Sequence, residues 1–476
     1  MHAIPFILLL GVLGSFAADD APLLRPDASS LIRAPIYPRS HPARTHQFGL
    51  DGSNVHNTSL LNYLTTQYHI ELGIGTPRQN FTLVVDTGSS DLWVPCAECP
   101  ISACSNSRFA PDKSTTFKTL NQPFSVVYGS GNVSRGYYVM DSVHVAGLTV
   151  PNQQFGLAAM THGIITVNGK SDSELARNTL DNDGVLGLGY PALTGAAALN
   201  HTPYNSLVFN MVSQGLISSP EFSIYMINNV SEHWDAEIIF GGVDQRKFLG
   251  NISYVPVVPA IDGQMNYKYW SVYGQGFRVR QPNGSTPDFR FNAPKEFILN
   301  TGSSLTYVPT ELAEALVNAV VGPGNFHYDP QNGVYVIDCQ EAYKNKAVLE
   351  IHLPPSDQIV DHPIKLTMRG STLWISTEIL PLEQSNHCVF AIAPSGEPST
   401  NSTLRRDKYI LGLSVLRGAY LAFDIGQNRV GFAMAIGSET IVEGLPIHRN
   451  HAPFAHHSSF VVSTVGILCT LAMVLF

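Results

Sequence analysis

The chain has 476 residues, 44% of them hydrophobic and only 14% charged, against roughly 25% charged in an average soluble protein. That length and apolar content exclude global disorder and a single small domain. The formal charge of −9, with no run of Lys or Arg, excludes a nucleic-acid-binding surface.

In chain order, residues 1–17 read as a signal peptide: an apolar run from Ala3 leads to Ser15-Phe16-Ala17, a small-x-small cleavage pattern. Residues 18–65 are rich in Pro, Arg, Ser and His and lack periodicity. They are expected to be a pro-segment, whose Arg25, Arg33, Arg39 and Arg44 could pair with an acidic body, or a disordered lead-in. From Gln67 the pattern changes to short alternating strands broken by Gly, Asn and Pro, as in the turn Gly75-Thr76-Pro77 and the buried strand Phe81–Val85. Helical periodicity is rare. It is clearest over Glu311–Val321, where Leu312, Leu316 and Val320 share a face and Thr310 is the expected N-cap. The globular part is expected to end near Ala435, followed by a polar stalk over 437–459.

Phe460–Phe476 is apolar, uncharged and unfollowed by Lys or Arg. It is slightly short for a membrane-spanning helix, which needs about twenty residues. With the polar stretch before it, it reads as a lipid-attachment (GPI) signal, with Asn450, Ser438 or Ser458 as candidate attachment residues. A plain tail anchor is the alternative. Sequons at Asn57, Asn80, Asn132, Asn200, Asn229, Asn251, Asn283 and Asn401 point to a glycoprotein of the secretory pathway and cell surface.

The chain has six cysteines, and an oxidising compartment makes disulfides the expected fate. Cys99 with Cys104 can close a small loop, and Cys339 with Cys388 a larger one. Cys96 is left over and could compete for Cys104, and Cys469 lies in the tail. No His completes a metal site beside the 96/99/104 cluster. Neither a metal nor a cofactor is expected.

The most informative feature is an internal echo. Phe81-Thr82-Leu83-Val84-Val85-Asp86-Thr87-Gly88-Ser89-Ser90 is answered, 214 residues on, by Phe297-Ile298-Leu299-Asn300-Thr301-Gly302-Ser303-Ser304. Each copy is an apolar strand that delivers an acid or amide to a Thr-Gly-Ser turn. Two homologous lobes, each lending one loop to a shared cleft, follow from such a repeat.

With these residues the chain resembles the pepsin-like aspartic peptidases over about residues 67–436. Leu92-Trp93-Val94-Pro95 follows the first motif as in the family. Tyr128-Gly129-Ser130-Gly131 resembles the flap that closes over substrate. Asp183 to Gly189 and Ile410-Leu411-Gly412 resemble the strands that cross beneath the two loops, and Ile238 to Asp244, Tyr269-Trp270 and Phe423 to Phe432 resemble the strands that join the lobes. The resemblance implies a mainly β, bilobal fold, with an N-terminal lobe over 66–235 and a C-terminal lobe over 236–436. It implies a cleft lined by Tyr128, Gly88, Gly129, Gly302 and Ser303, with Asp86 and residue 300 as the catalytic pair. The lipid-type tail and heavy sequon use are similar to fungal GPI-anchored (yapsin-type) members of the family.

The departures bear on function. Asn300 stands where the family has its second Asp, Leu413 where an Asp is common, and a sequon at Asn132 lies beside the flap. Two close carboxyls share a proton, so that one serves as base and the other as acid. An amide keeps the shape and loses the proton. Asp86 is then expected to ionise readily, at an ordinary pKa. The expected protein is a monomer that is tethered to the membrane and binds a peptide or protein ligand with little or no peptidase activity. The alternatives are a working aspartic endopeptidase and a purely structural surface glycoprotein.

Overall fold

The computed structural model describes residues 31–39, 67–104, 107–129, 132–162, 182–227, 236–260, 266–376, 385–395 and 408–445. The signal peptide, the lipid-type tail, Ser130 and Gly131 of the flap, and the sequons at Asn57, Asn229 and Asn401 lie outside these.

The chain is mainly β, as expected. Two eight-stranded sheets and one six-stranded sheet carry most of it. The first eight-stranded sheet runs in spatial order Tyr37–Arg39, Gln67–Ile74, Gln79–Asp86, Val185–Gly187, Leu92–Pro95, Leu148–His162, Asn132–Val145 and Lys118–Val127. The second is built from residues 271–443 and places Asp288–Leu299 between Tyr409–Leu411 and Ser271–Arg280. In both, the strand that leads to the turn is joined in parallel to a later strand. Val84, Val85 and Asp86 pair with Val185, Leu186 and Gly187, and Phe297, Ile298 and Leu299 pair with Tyr409, Ile410 and Leu411. The last residues before the acid or amide, Leu83–Val85 and Phe297–Leu299, are buried throughout, and strand segments buried on both faces are apolar without alternation. The two sheets thus repeat one local topology, as the sequence echo requires.

The six-stranded sheet ties the halves together, with Glu221–Met226 beside Ala419–Asp424 at its centre. Over it lies Trp270, fully buried, with ring centroids 4.5 Å from Tyr190, 5.8 Å from Phe222 and 5.2 Å from Phe423. Its indole N–H donates to the Leu188 carbonyl at 3.0 Å. Aromatic pairs at such spacing add about 0.5–1.5 kcal/mol each beyond their buried area, so this one side chain couples both halves.

Three expectations are sharpened. Within the stretch read as a pro-segment or a disordered lead-in, residues 31–39 form two strands, so this part is ordered. Ile32–Pro35 adds to the edge of the six-stranded sheet against Glu237–Phe240, and Tyr37–Arg39 pairs with Gln67–His69. Leu31, Ala34 and Ile36 are buried there, which supplies the apolar anchoring that a Pro- and Arg-rich composition hid. At the other end, the ordered body does not stop near Ala435. Ile441–Glu443 adds a strand to the edge of the second eight-stranded sheet, pairing with Lys365–Thr367. Lys365 and Glu443 form an ion pair at 3.0 Å, and the Leu445 N–H donates to Ser253 Oγ at 3.0 Å. Finally, the helix spans Thr310–Val321, so Thr310 is its first residue and Pro309, which has no side-chain acceptor to offer, stands at the N-cap.

Both expected disulfides form, Cys99–Cys104 and Cys339–Cys388. Cys96 is a buried free thiol, and burial raises its pKa to about 11. It behaves as a small core residue.

Candidate active site

The two echoed turns meet at the centre of the molecule. The backbone N–H of Thr87 donates to Thr301 Oγ1, and the N–H of Thr301 donates to Thr87 Oγ1, both at 3.1 Å. Each hydroxyl then donates across to the opposite strand: Thr87 to the Leu299 carbonyl at 2.7 Å, Thr301 to the Val85 carbonyl at 2.8 Å. Both threonines are buried. Four reciprocal bonds between buried groups fix the turns to one another, because losing any one would strand a polar group without water.

The two glycines have a sharper reason than the tight turn expected of them, since neither adopts a positive φ. A Cβ on Gly88 would lie 2.4 Å from Asn300 Cγ, and one on Gly302 would lie 2.5 Å from Asp86 Cγ. Each glycine is small so that the opposite side chain can lie on it. Beneath the turns the crossing strands also end in glycine. A Cβ on Gly187 would strike the Ser90–Asp91 backbone at 2.5 Å, and one on Gly412 the Leu305 carbonyl at 2.1 Å.

Asp86 and Asn300 thus sit in equivalent settings. The Gly88 N–H donates to Asp86 Oδ1 and the Gly302 N–H to Asn300 Oδ1, both at 2.8 Å. The outer contacts differ. Ser89 Oγ donates to Asp86 Oδ2, whereas Ser303 Oγ turns away and donates to the Leu305 carbonyl at 3.0 Å. With Oδ1 of Asn300 engaged by Gly302, the remaining position is an NH₂ donor, which offers a hydroxyl hydrogen nothing to bind.

Asp86 does not have the ordinary pKa expected of it. Burial raises it, and the hydrogen bonds from Ser89, Gly88 and Gly302 only partly pull it back. Loss of a charged neighbour was the wrong criterion, because desolvation alone penalises a buried carboxylate. A raised pKa makes Asp86 a stronger base once it is ionised, and it stands beside a neutral amide donor.

Tyr128 directly follows the strand Lys118–Val127. Its hydroxyl accepts from the Trp93 indole at 2.9 Å, and burial together with Asp91 and Asp86 pushes its pKa well above 10. Gly129 is exposed beyond it, and Val127 is 81% exposed. Leu413, buried, opens the short helix Leu413–Leu416. Sequence reasoning passed over Asp91, which is buried and accepts from Tyr138 and Tyr204. Its place directly after Ser90 in the first motif was the available signal.

Paired strand-turn loops from two related sheets, clasped by reciprocal threonines, define the pepsin type of aspartic peptidase architecture. Residues 67–435 match the family model of eukaryotic aspartyl proteases. The chain is 33% identical to mucorpepsin of Rhizomucor miehei, over 77% of this chain and 78% of that protein. It is 31% identical to human gastricsin, over 78% and 82% respectively, and 33% identical to cathepsin E of Oryctolagus cuniculus, over 80% and 83%. The chain belongs to the eukaryotic aspartyl protease family.

Proposed function

We propose that this protein is a peptide-binding member of the aspartic peptidase family in which proton chemistry has been switched off at one position. The observation that supports this most is the pairing of Asp86 with Asn300 in two otherwise equivalent turns. In this reading Asn300 replaces the second catalytic Asp.

Hydrolysis without a covalent intermediate needs a base to activate water and an acid to protonate the leaving amine. An ionised Asp86 can accept a proton from water. The amide of Asn300 can orient that water or a peptide carbonyl, but it releases no proton. Loss of general acid help costs roughly 10²–10⁴-fold, and the exchange of roles between two coupled carboxyls is lost with it. Peptide is held and not turned over. Cleavage of an acid-denatured protein by the purified chain tests this reading. Robust turnover that is inhibited by pepstatin and disappears in Asp86→Ala would restore the alternative, a working endopeptidase.

The same proposal includes secretion, N-glycosylation and tethering to the outer surface by a lipid that replaces the tail. No helix among the described residues is long and apolar enough to cross a membrane. Of the three candidate attachment residues, Ser438 precedes the strand Ile441–Glu443, so attachment there would remove a built part of the second sheet. Asn450 and Ser458 preserve it. Release of the protein from cells by phosphatidylinositol-specific phospholipase tests the anchor, and retention after that treatment contradicts it.

A further inference from the structure

We infer that Asp91 is a positioning residue of the cleft, whose carboxylate ties the Asp86 turn to the flap and to the 195–204 segment. The inference rests on the reading of the cleft as a binding site, and it concerns residues outside the paired turns.

Asp91 is 1% exposed and lies between the first turn and the strand Leu92–Pro95. Three groups from two other parts of the chain donate to it. Tyr138 Oη reaches Oδ1 at 2.9 Å from the strand Asn132–Val145, which returns from the flap. Tyr204 Oη reaches the same oxygen at 2.8 Å, and the Gly195 N–H reaches Oδ2 at 2.7 Å. The Asp91 carbonyl also accepts from the Gly187 N–H of the crossing strand at 3.0 Å.

The groups that face this carboxylate are hydroxyls and a backbone N–H, not a cation. Burial raises its pKa while the same three donors lower it. A buried carboxyl in such a place is satisfied only by donors that are fixed beforehand. They are fixed. The rings of Phe124, Tyr138 and Tyr204 form a ladder with successive centroids 5.1 and 5.5 Å apart, and Phe124 belongs to the outgoing flap strand. Gly195 is fitted to the spot, since a Cβ there would lie 2.9 Å from Tyr138 Oη. Two residues beyond Asp91, Trp93 holds the Tyr128 hydroxyl. One short stretch therefore grips the flap at its base through Asp91 and at its tip through Trp93.

A carboxylate suits the site because it accepts from all three donors at once. An amide in its place would keep its oxygen for the Gly195 N–H and face the two tyrosine oxygens with its NH₂, which they can accept, but the buried hydrogens of both hydroxyls would lose this acceptor. Hydrogen–deuterium exchange of the full chain, followed by mass spectrometry, tests the role in Asp91→Asn and Tyr204→Phe. In Asp91→Asn, exchange over residues 118–145 and 195–204 is expected to rise about tenfold, with residues 271–299 unchanged. Pepstatin affinity, titrated on the same samples, is expected to fall by a similar factor. Tyr204→Phe removes one hydroxyl and is expected to move both readouts less, without adding to Asp91→Asn in the double variant. It also decides the matter should Asp91→Asn not fold. Exchange that rises equally over 271–299, or a flap that does not respond, overturns the inference. If the unaltered chain binds no pepstatin, the reading of the cleft fails on its own, and the exchange pattern still judges Asp91.

Discussion

The amide of Asn300 lies against Gly88 so closely that a methyl group on the glycine would sit 2.4 Å from its Cγ. The mirror contact joins Gly302 to Asp86. Gly88→Ala should therefore push Asn300 off its seat and strain the threonine clasp, at a cost of about 1–3 kcal/mol, as for overpacked cores in general. Chemical denaturation of Gly88→Ala and Gly302→Ala checks this. Both should lose stability by comparable amounts, since the two contacts are equivalent.

Stability should depend on the charge of Asp86 in a definite direction. Its folded-state pKa lies above the ordinary value of 3.8, so the folded chain holds this proton more tightly than the unfolded chain. This contribution to stability is present at low pH and falls as pH rises through the window above 3.8. Asp86→Asn removes the burdened charge, and the Asn300 turn shows that an amide fits such a site. The variant forgoes the Ser89 bond at every pH, so its melting temperature relative to that of the parent should rise as pH is raised from about 3. A thermal melt series in pH measures it.

The edge strand Ile32–Pro35 is pinned by charge. Arg33 Nη1 lies 2.6 Å from Asp244 and 3.3 Å from Glu237, and Asp244 is 1% exposed. Burial works against the charge of Asp244, yet the bonds from Arg246 and Arg33 outweigh it and bring its pKa to about 2. A lowered carboxylate stabilises the fold above its unfolded value of 3.8 and loses that contribution as pH falls through about 2. Arg33→Ala should cost about 2 kcal/mol at neutral pH, the usual worth of a bond to a charged partner. Arg246 keeps part of the charge compensated. The deficit should shrink between pH 4 and 2, as read from urea midpoints across that range.

The strand Ile441–Glu443 lies beyond the family match, which ends at residue 435. It buries Thr440, pairs with Lys365–Thr367 and meets Ser253 through Leu445. A chain that stops after Ala435 should be less stable than one that stops after Leu445, on the order of 3 kcal/mol. Equal urea midpoints for the two would show the strand to be a passive extension.

Much of this was legible in the sequence, because the repeat carries both the fold and the site. An apolar strand ending in an acid or amide, then Thr, Gly and Ser, states where each turn lies and what it presents. Cys99 with Cys104, and Cys339 with Cys388, were the expected pairs, but competition from Cys96 was decided only by the fold, which buries it as a free thiol. The two edge strands were not, because Arg33 and Glu443 are charged and their short strands gain stability from partners far away in the chain. The pKa of Asp86 was misjudged for a related reason: burial is a property of the folded whole, and no local motif reports it. Asp91 was hidden inside a familiar run, its meaning set by Tyr138 and Tyr204, distant in sequence.

The central claim is that one amide separates this cleft from a working peptidase. The most direct measurement compares the parent chain with Asn300→Asp for cleavage of an acid-denatured protein, using Asp86→Ala as the blank. The account predicts that the parent is indistinguishable from the blank and that Asn300→Asp gains roughly 10²-fold or more, with inhibition by pepstatin. A parent already as active as Asn300→Asp, or an Asn300→Asp variant that folds and binds pepstatin yet stays at the level of the blank, would contradict it.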